Sequence, residues 1–224
     1  MQELEPIIER IQQTFELRTR MRDQALAQAR TLTRHASHAI RAIHRSEHDL
    51  AHEHLQETRT LAAALKADLA NFPDLYYAGY TQDALKEYVE ATVTVALIEN
   101  QPLPDPESLG QEYATNQNGL AEVTGELRRR CLDILRQGYS SEAERLLSCM
   151  DDIYSELVTL DYPDAITNGL RRQTDLVRGI VERTRGDLTI SLREQHLESA
   201  LAALDARLTE RETGLPDHAQ HSGV

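Results

Sequence analysis

Two short motifs place pairs of glutamates on one face of a predicted helix. Glu87 and Glu90 are three residues apart in the segment L-K-E-Y-V-E-A, and Glu122 and Glu126 are four apart in L-A-E-V-T-G-E-L. Side chains at these spacings project from the same side of a helix. Each pair lies among apolar residues, so we expect both pairs at the edge of the core, where an uncompensated carboxylate is costly.

Four carboxylates would have a chemical use if the two helices brought them together. In an antiparallel pair of helices the four groups meet, and they cannot all ionise without a cation between them. Magnesium prefers hard oxygen ligands of this kind, with Mn²⁺ as a possible substitute. Two such ions about 3.5–4 Å apart can hold a phosphate, activate water and stabilise a leaving oxygen. Since the chain has 37 acidic residues, ordinary solvent-facing glutamates are the alternative interpretation of the spacing.

A run of arginines interrupts the acidic character of the chain. The formal net charge is -13, yet Asp23 is the only acid between residues 17 and 46. The arginines near one face of the predicted helix are Arg18, Arg22, Arg30, Arg34, Arg41 and Arg45. Such a stripe favours binding of a phosphate backbone, with Tyr76, Tyr77 and Tyr80 as candidate stacking groups. The alternatives are a solvated face or pairing with acids elsewhere.

Histidines are concentrated in the same half of the chain. They are His35, His38, His44, His48, His52 and His54. His44, His48 and His52 share a helical face, which raises the possibility of a zinc site. Zinc needs a full ligand set, and no cysteine or carboxylate partner is evident, so we interpret these three as surface histidines.

Apolar residues at three- and four-residue steps predict an all-α domain over residues 1–208. The predicted helices cover residues 4–43, 47–69, 76–99, 108–113, 118–137, 141–160 and 166–208. The first and last helices have about 40 residues and are therefore about 60 Å long. This length exceeds the width of a compact domain of this size, so both helices need packing partners beyond their own chain. Oligomerisation is therefore expected. The polar segment 209–224 is predicted to be disordered.

Several features point to a protein of the reducing cytoplasm. No apolar run approaches the ~18 residues that a membrane-spanning helix needs, and the acidic N-terminus lacks a signal-peptide pattern. Cys131 and Cys149 are too few and too isolated for a disulfide framework or a zinc site. We therefore expect a cytoplasmic location.

The two acidic motifs resemble those of the TRAX branch of the translin family. Segment 85–91 is similar to that family's L-x-E-Y-V-E-A, and segment 120–127 is similar to its x-A-D-L-T-G-E-L. The helix junction at 72–77 and the segment 169–187, with L-R-x-x-x-D and R-G, are also similar. The likeness covers residues 4–208.

This resemblance implies a seven-helix fold, a hollow octameric shell, and magnesium-dependent cleavage of RNA bound to the inner surface. It assigns catalysis and metal binding to Glu87, Glu90, Glu122 and Glu126, although Glu122 stands where the family has aspartate. The expected function is a magnesium-dependent endoribonuclease that cleaves single-stranded RNA, works as a homo-oligomer and possibly also binds single-stranded DNA. The alternatives are a non-catalytic translin-like shell that binds single-stranded RNA or DNA, and an all-α nucleotide pyrophosphohydrolase.

Overall fold

The computed structural model describes residues 4–213, with side chains to residue 209, and this part of the chain is helical without strands. Nine helices follow one another: α1 (Leu4–His44), α2 (His48–Asp68), α3 (Pro73–Tyr76), α4 (Gly79–Ile98), α5 (Pro106–Leu109), α6 (Tyr113–Leu135), α7 (Ser141–Thr159), α8 (Asp164–Thr167) and α9 (Leu170–Thr213). The predicted all-α class is confirmed.

The long helices follow the predicted pattern, whereas the short ones differ from it. The single-turn helices α3 and α8 were not predicted, because four residues are too few to show a helical period. The start of α9 shifts to Leu170, since Asn168 and Gly169 adopt positive φ angles of 52° and 83° and interrupt the helix before it. At its other end α9 continues to Thr213. The remainder of the segment predicted to be disordered, 214–224, lies outside the described residues.

Helix α4 occupies the centre of the fold, with α1 on one side and α6 on the other. Ala36, Ala39 and Ile40 of α1 form a buried cluster with Ala91 of α4, and these mostly small side chains allow the two helices to approach closely. On the other side, Gly119 of α6 faces α4 so closely that a Cβ there would lie 2.8 Å from the Cβ of Val89. The third and fifth predicted helices, which carry the acidic motifs, are thus held in fixed register by close packing.

The helices α4 and α6 run parallel, so the antiparallel arrangement considered from the sequence is wrong. Near their starts, Thr115 Oγ1 donates to Gln82 Oε1 at 2.6 Å. Further along both helices, Lys86 Nζ donates to Glu122 Oε1 at 2.7 Å. Residue numbers therefore rise in the same direction along both helices. The long connection that contains α5 makes this possible, because it brings the chain back from the end of α4 to its start.

The long helices extend beyond the core and carry apolar side chains into solvent. In α1, buried residues begin only at Ala25, although the preceding turns are rich in apolar residues. The exposed apolar residues of the two extensions are Leu4, Ile7, Ile8, Ile11, Phe15 and Leu17, and Ile190, Leu197, Leu201, Leu204 and Leu208. No helix within residues 4–213 is both long enough and apolar enough to cross a membrane.

Candidate metal centre and nucleic-acid interface

Three of the four predicted glutamates converge between α4 and α6. Carboxylate oxygens of Glu87, Glu90 and Glu122 lie within 4.8 Å of one another. Oxygens bound to one Mg²⁺ at about 2.1 Å are at most about 4.2 Å apart, so small side-chain movements suffice to bring all three onto one ion. Among residues 4–209, this is the only group of three His, Cys, Asp or Glu side chains that converges so closely.

The parallel packing still brings the two motifs together because each pair occupies the side of its helix that faces the other. The three side chains are half-buried, which places them between the core and solvent, as their apolar neighbours in the sequence suggested. Gly125, one turn further along α6, faces open space. Because Glu87, Glu90 and Glu122 each keep part of their surface exposed, the cluster can be reached from solvent.

Glu126 adjoins this cluster but has partners of its own. His44 Nε2 donates to Glu126 Oε2 at 2.6 Å, and Arg129 lies 3.5 Å from the same oxygen. The hydrogen bond from His44 lowers the pKa of Glu126 even though partial burial opposes this. Because the side chain of His44 is only 3% exposed, it is a fixed donor that keeps Glu126 ionised and oriented.

Lys86 supplies the positive charge nearest the cluster. Its ammonium group donates to Glu122 Oε1 at 2.7 Å. Burial opposes the charged form of Lys86, but the hydrogen bond and charge of Glu122 outweigh it and raise the pKa of the amine. Glu122 is thus neutralised by a cation from inside the same motif as Glu87 and Glu90.

The remaining two carboxylates are inadequately neutralised by the protein. Burial, followed by the charges of the other three glutamates, raises the pKa of Glu90 to about 8. Burial and the charge of Glu122 also raise the pKa of Glu87. A shared cation would remove this repulsion. The donor set consists only of carboxylate oxygens, so it fits Mg²⁺ or Mn²⁺ better than a softer ion.

The arginine stripe divides into a paired and an unpaired part. Arg18 forms an ion pair with Asp74, and Arg22 lies 3.2 Å from Asp23. The other four arginines are exposed and form no ion pair with any described residue: Arg30, Arg34, Arg41 and Arg45. The explanation by pairing with acids therefore holds for the first two positions only.

One unpaired arginine lies beside Glu87, and another lies beside His44, the partner of Glu126. Arg30 and Glu87 line the same surface pocket between α1 and α4, and Tyr80 contributes to its wall. At the other end, Arg45 lines a cavity of about 840 Å³ next to His44 and Arg130. A polyanion that follows α1 between these arginines would pass alongside the carboxylate cluster.

The three tyrosines have different environments. The ring of Tyr76 is buried and packs edge-on against Tyr77 with centroids 5.0 Å apart, whereas Tyr77 is 61% exposed. Tyr80 is half-buried in the pocket that it shares with Arg30. Tyr77 and Tyr80 are therefore the two that a nucleic-acid base could reach.

The histidine face that suggested a zinc site is divided between two carboxylates. His48 Nδ1 lies 2.8 Å from Glu99, and His52 Nε2 lies 2.9 Å from the same carboxylate. The interpretation as surface histidines holds for His48 and His52 but is wrong for His44, which is buried and contacts Glu126. Local spacing does not reveal either pairing, since Glu99 at the end of α4 and Glu126 on α6 are both far from the histidines in the chain. Lys86, by contrast, lies inside the first motif, where its position next to Glu87 is a signal for an internal cation.

Comparison with known proteins gives the same fold. A structure of AfC3PO in complex with duplex RNA and a crystal structure of AfC3PO are each 30% identical to this chain, with TM-scores of 0.78 and 0.77, and each covers 84% of this chain and 97% of the neighbour. Apo-NeC3PO, 19% identical, has a TM-score of 0.76 over 82% of this chain and 96% of the neighbour, a likeness in fold alone. An uncharacterized protein of Methanocaldococcus jannaschii is 31% identical over 194 residues, or 85% of both chains. No protein-family model matches.

Proposed function

This chain belongs to the translin family, and on that basis we propose that it is a magnesium-dependent endoribonuclease that cleaves single-stranded RNA. The observation that carries the proposal is the convergence of Glu87, Glu90 and Glu122 within 4.8 Å. A shell that only bound nucleic acid would have no use for three mutually repelling, half-buried carboxylates.

The residues proposed to hold the metal are Glu87, Glu90 and Glu122, with Glu126 beside them. Mg²⁺ held there would supply positive charge to the scissile phosphate and lower the pKa of the attacking water. Glu90 must lose its proton to become a ligand, because its pKa is about 8 without a cation. Lys86 must share or release the Glu122 oxygen that it contacts.

Glu126 is proposed to act in its ionised form. The hydrogen bond from the buried His44 fixes one of its oxygens, which leaves the other free for metal or water. Fixing a carboxylate in this way avoids the cost of ordering it during the reaction. His44 is therefore a positioning residue for Glu126.

The proposed path of the RNA follows the unpaired arginines of α1. Arg30, Arg34, Arg41 and Arg45 would contact phosphates, and Tyr77 and Tyr80 would offer surfaces for base stacking. AfC3PO, which shares this fold, is described in a complex with duplex RNA. We therefore propose RNA as the ligand class of this chain, with single strands as the cleaved form and single-stranded DNA as a further ligand.

The proposed assembly is a homo-oligomeric shell, octameric as the family resemblance implies. The exposed apolar residues that repeat along α1 and α9 support this proposal, because clustered exposed apolar side chains are typical of interaction surfaces. Enclosing the arginine stripe in such a shell would let an acidic protein hold RNA, since the overall charge of -13 would act mainly on the outside.

A cleavage assay on the purified chain tests the proposed function. Labelled single-stranded RNA, duplex RNA and single-stranded DNA are incubated with the protein in Mg²⁺ or EDTA, alongside Glu87→Gln, Glu126→Gln and the control Glu57→Gln. Glu57 is exposed on α2 and makes no hydrogen bond or ion pair with described residues. Loss of a residue that only supports a metal ligand lowers activity by up to about 100-fold. Loss of a ligand itself should therefore lower the cleavage rate by more than that.

The expected result is cleavage of single-stranded RNA in Mg²⁺ by the wild type and Glu57→Gln, none in EDTA, and unimpaired RNA binding by the two active-site variants. If Glu87→Gln and Glu126→Gln cleave normally in Mg²⁺, the site assignment is wrong. RNA binding without any product would indicate the non-catalytic shell. Release of pyrophosphate from nucleoside triphosphates, with intact RNA, would indicate the pyrophosphohydrolase.

A further inference from the structure

Three histidines outside the carboxylate cluster meet where α1 packs against α2. His35 and His38 come from α1, and His54 comes from α2. The ring centroid of His54 lies 5.3 Å from that of His35 and 5.1 Å from that of His38, and the two α1 rings are 6.5 Å apart. All three side chains are half-buried, so they lie between the core and solvent.

Two of these rings already have the separation that a chelated ion requires. The Nδ1 atoms of His35 and His54 are 3.2 Å apart. Two imidazole nitrogens bound to one tetrahedral Zn²⁺ at 2.0–2.1 Å lie about 3.3–3.4 Å apart. A single N–H···N hydrogen bond would also produce such a pair, but it would not explain why a third imidazole adjoins both.

His38 needs only a side-chain movement to complete the set. The nitrogens of the three rings do not all lie within 4.8 Å of one another, since Glu87, Glu90 and Glu122 alone meet that condition among the described residues. His38 forms no hydrogen bond with a described residue and is partly open to solvent. Its ring can therefore turn towards the other two without breaking a hydrogen bond.

The surroundings favour the neutral imidazole, which is the form that binds metals. Burial, followed by the charges of His54 and Arg41, lowers the pKa of His38. Neutral histidines bind a metal without first losing a proton. The nearby Arg34 and Arg41 repel any cation, which limits affinity without removing the donor geometry.

We propose that His35, His38 and His54 form a binding site for a late first-row divalent ion such as Zn²⁺ or Ni²⁺, with water in the fourth position. Imidazole nitrogens suit these ions, whereas Mg²⁺ and Mn²⁺ prefer carboxylates. The site is thus chemically distinct from the carboxylate cluster and does not depend on nuclease activity. A bound ion would link α1 to α2 beside the unpaired arginines.

Direct metal titration tests this site. The full-length chain is freed of metal with EDTA, dialysed, and titrated calorimetrically with Zn²⁺ in excess Mg²⁺, which occupies the carboxylates. The variants are His35→Gln, His38→Gln and His54→Gln, each checked for folding by circular dichroism. Two controls accompany them: His196→Gln, an exposed histidine of α9, and His48→Gln, on the same helix as His54.

The expected result is one Zn²⁺ per wild-type chain, with the affinity lowered at least about tenfold in each of the three variants and within twofold of wild type in both controls. Zn²⁺ should also raise the melting temperature of the wild type and not that of His54→Gln, and Co²⁺ should give a visible tetrahedral absorption that disappears in the same variant. Undiminished binding by the three variants would overturn the proposal. So would loss of binding in His48→Gln alone, which would place the ion on His48, His52 and Glu99 instead.

Discussion

Replacing Glu90 with glutamine should stabilise the metal-free protein, and more so as pH rises. The pKa of Glu90 is raised from 4.5 to about 8 by burial and by the neighbouring carboxylates. The folded state therefore keeps a proton that the unfolded chain loses above pH 4.5, so stability falls as pH increases from about 4.5 to about 8. Glutamine has nearly the same shape and no charge, which removes this loss.

The size of the effect follows from the same shift. At about 1.4 kcal/mol per pKa unit, a rise from 4.5 to about 8 corresponds to roughly 5 kcal/mol as an upper limit above pH 8. Part of this destabilisation is already present at pH 5.5, and the partial exposure of Glu90 reduces what is added between pH 5.5 and pH 8.5. We expect Glu90→Gln to raise the free energy of unfolding, relative to wild type, by roughly 2–3 kcal/mol more at pH 8.5 than at pH 5.5.

Urea unfolding in EDTA at both pH values, at one protein concentration, measures this difference. Glu57→Gln is the control and should change stability equally at both. Mg²⁺ should then reverse the order at pH 8.5, because only the wild type gains from metal binding. An identical effect of Glu90→Gln at pH 5.5 and 8.5 would show that Glu90 ionises as freely as an exposed carboxylate, and that burial does not raise its pKa.

Three further substitutions probe the packing, the internal cation and the exposed faces. Gly119→Ala should destabilise the fold by about 1–3 kcal/mol in urea unfolding, because the added Cβ would collide with α4. The control Gly125→Ala, where a Cβ meets nothing within 4 Å, should be neutral or stabilising. Equal effects of the two substitutions would contradict the close approach of α4 and α6. Lys86→Met should tighten Mn²⁺ binding on the order of tenfold, as measured by electron paramagnetic resonance, because the Lys86 ammonium that contacts Glu122 no longer competes with the metal. Weaker binding would show that Lys86 supports the metal. Ile8→Asp, on the exposed face of α1, should lower the mass seen by sedimentation velocity, and an unchanged mass would exclude that face from the assembly.

Local patterns in the sequence predicted the long helices well, because an apolar stripe with helical period needs no knowledge of the partner. The same local rules placed each glutamate pair on one helical face. They could not give the direction of packing between α4 and α6, which depends on the path of the chain through α5 and on the contact at Gly119. In the observed parallel arrangement, Glu90 lies near both acids of α6.

The partners of the site residues were less predictable, because they come from segments far apart in sequence. The contact between His44 and Glu126 spans 82 positions, and no local spacing reveals it. Helical period groups His44 with His48 and His52, but the turn between α1 and α2 places His44 next to a different carboxylate. The meeting of His54 with His35 and His38 likewise depends on how α2 folds back on α1.

Anomalous diffraction from crystals grown with Mn²⁺ would show whether Glu87, Glu90 and Glu122 share a divalent ion. We expect an anomalous peak bracketed by the three carboxylates, with their oxygens bound directly to the ion, and Lys86 shifted relative to Glu122. Saturating Mn²⁺ with no peak between α4 and α6, and with Glu87 and Glu90 turned away from Glu122, would contradict it.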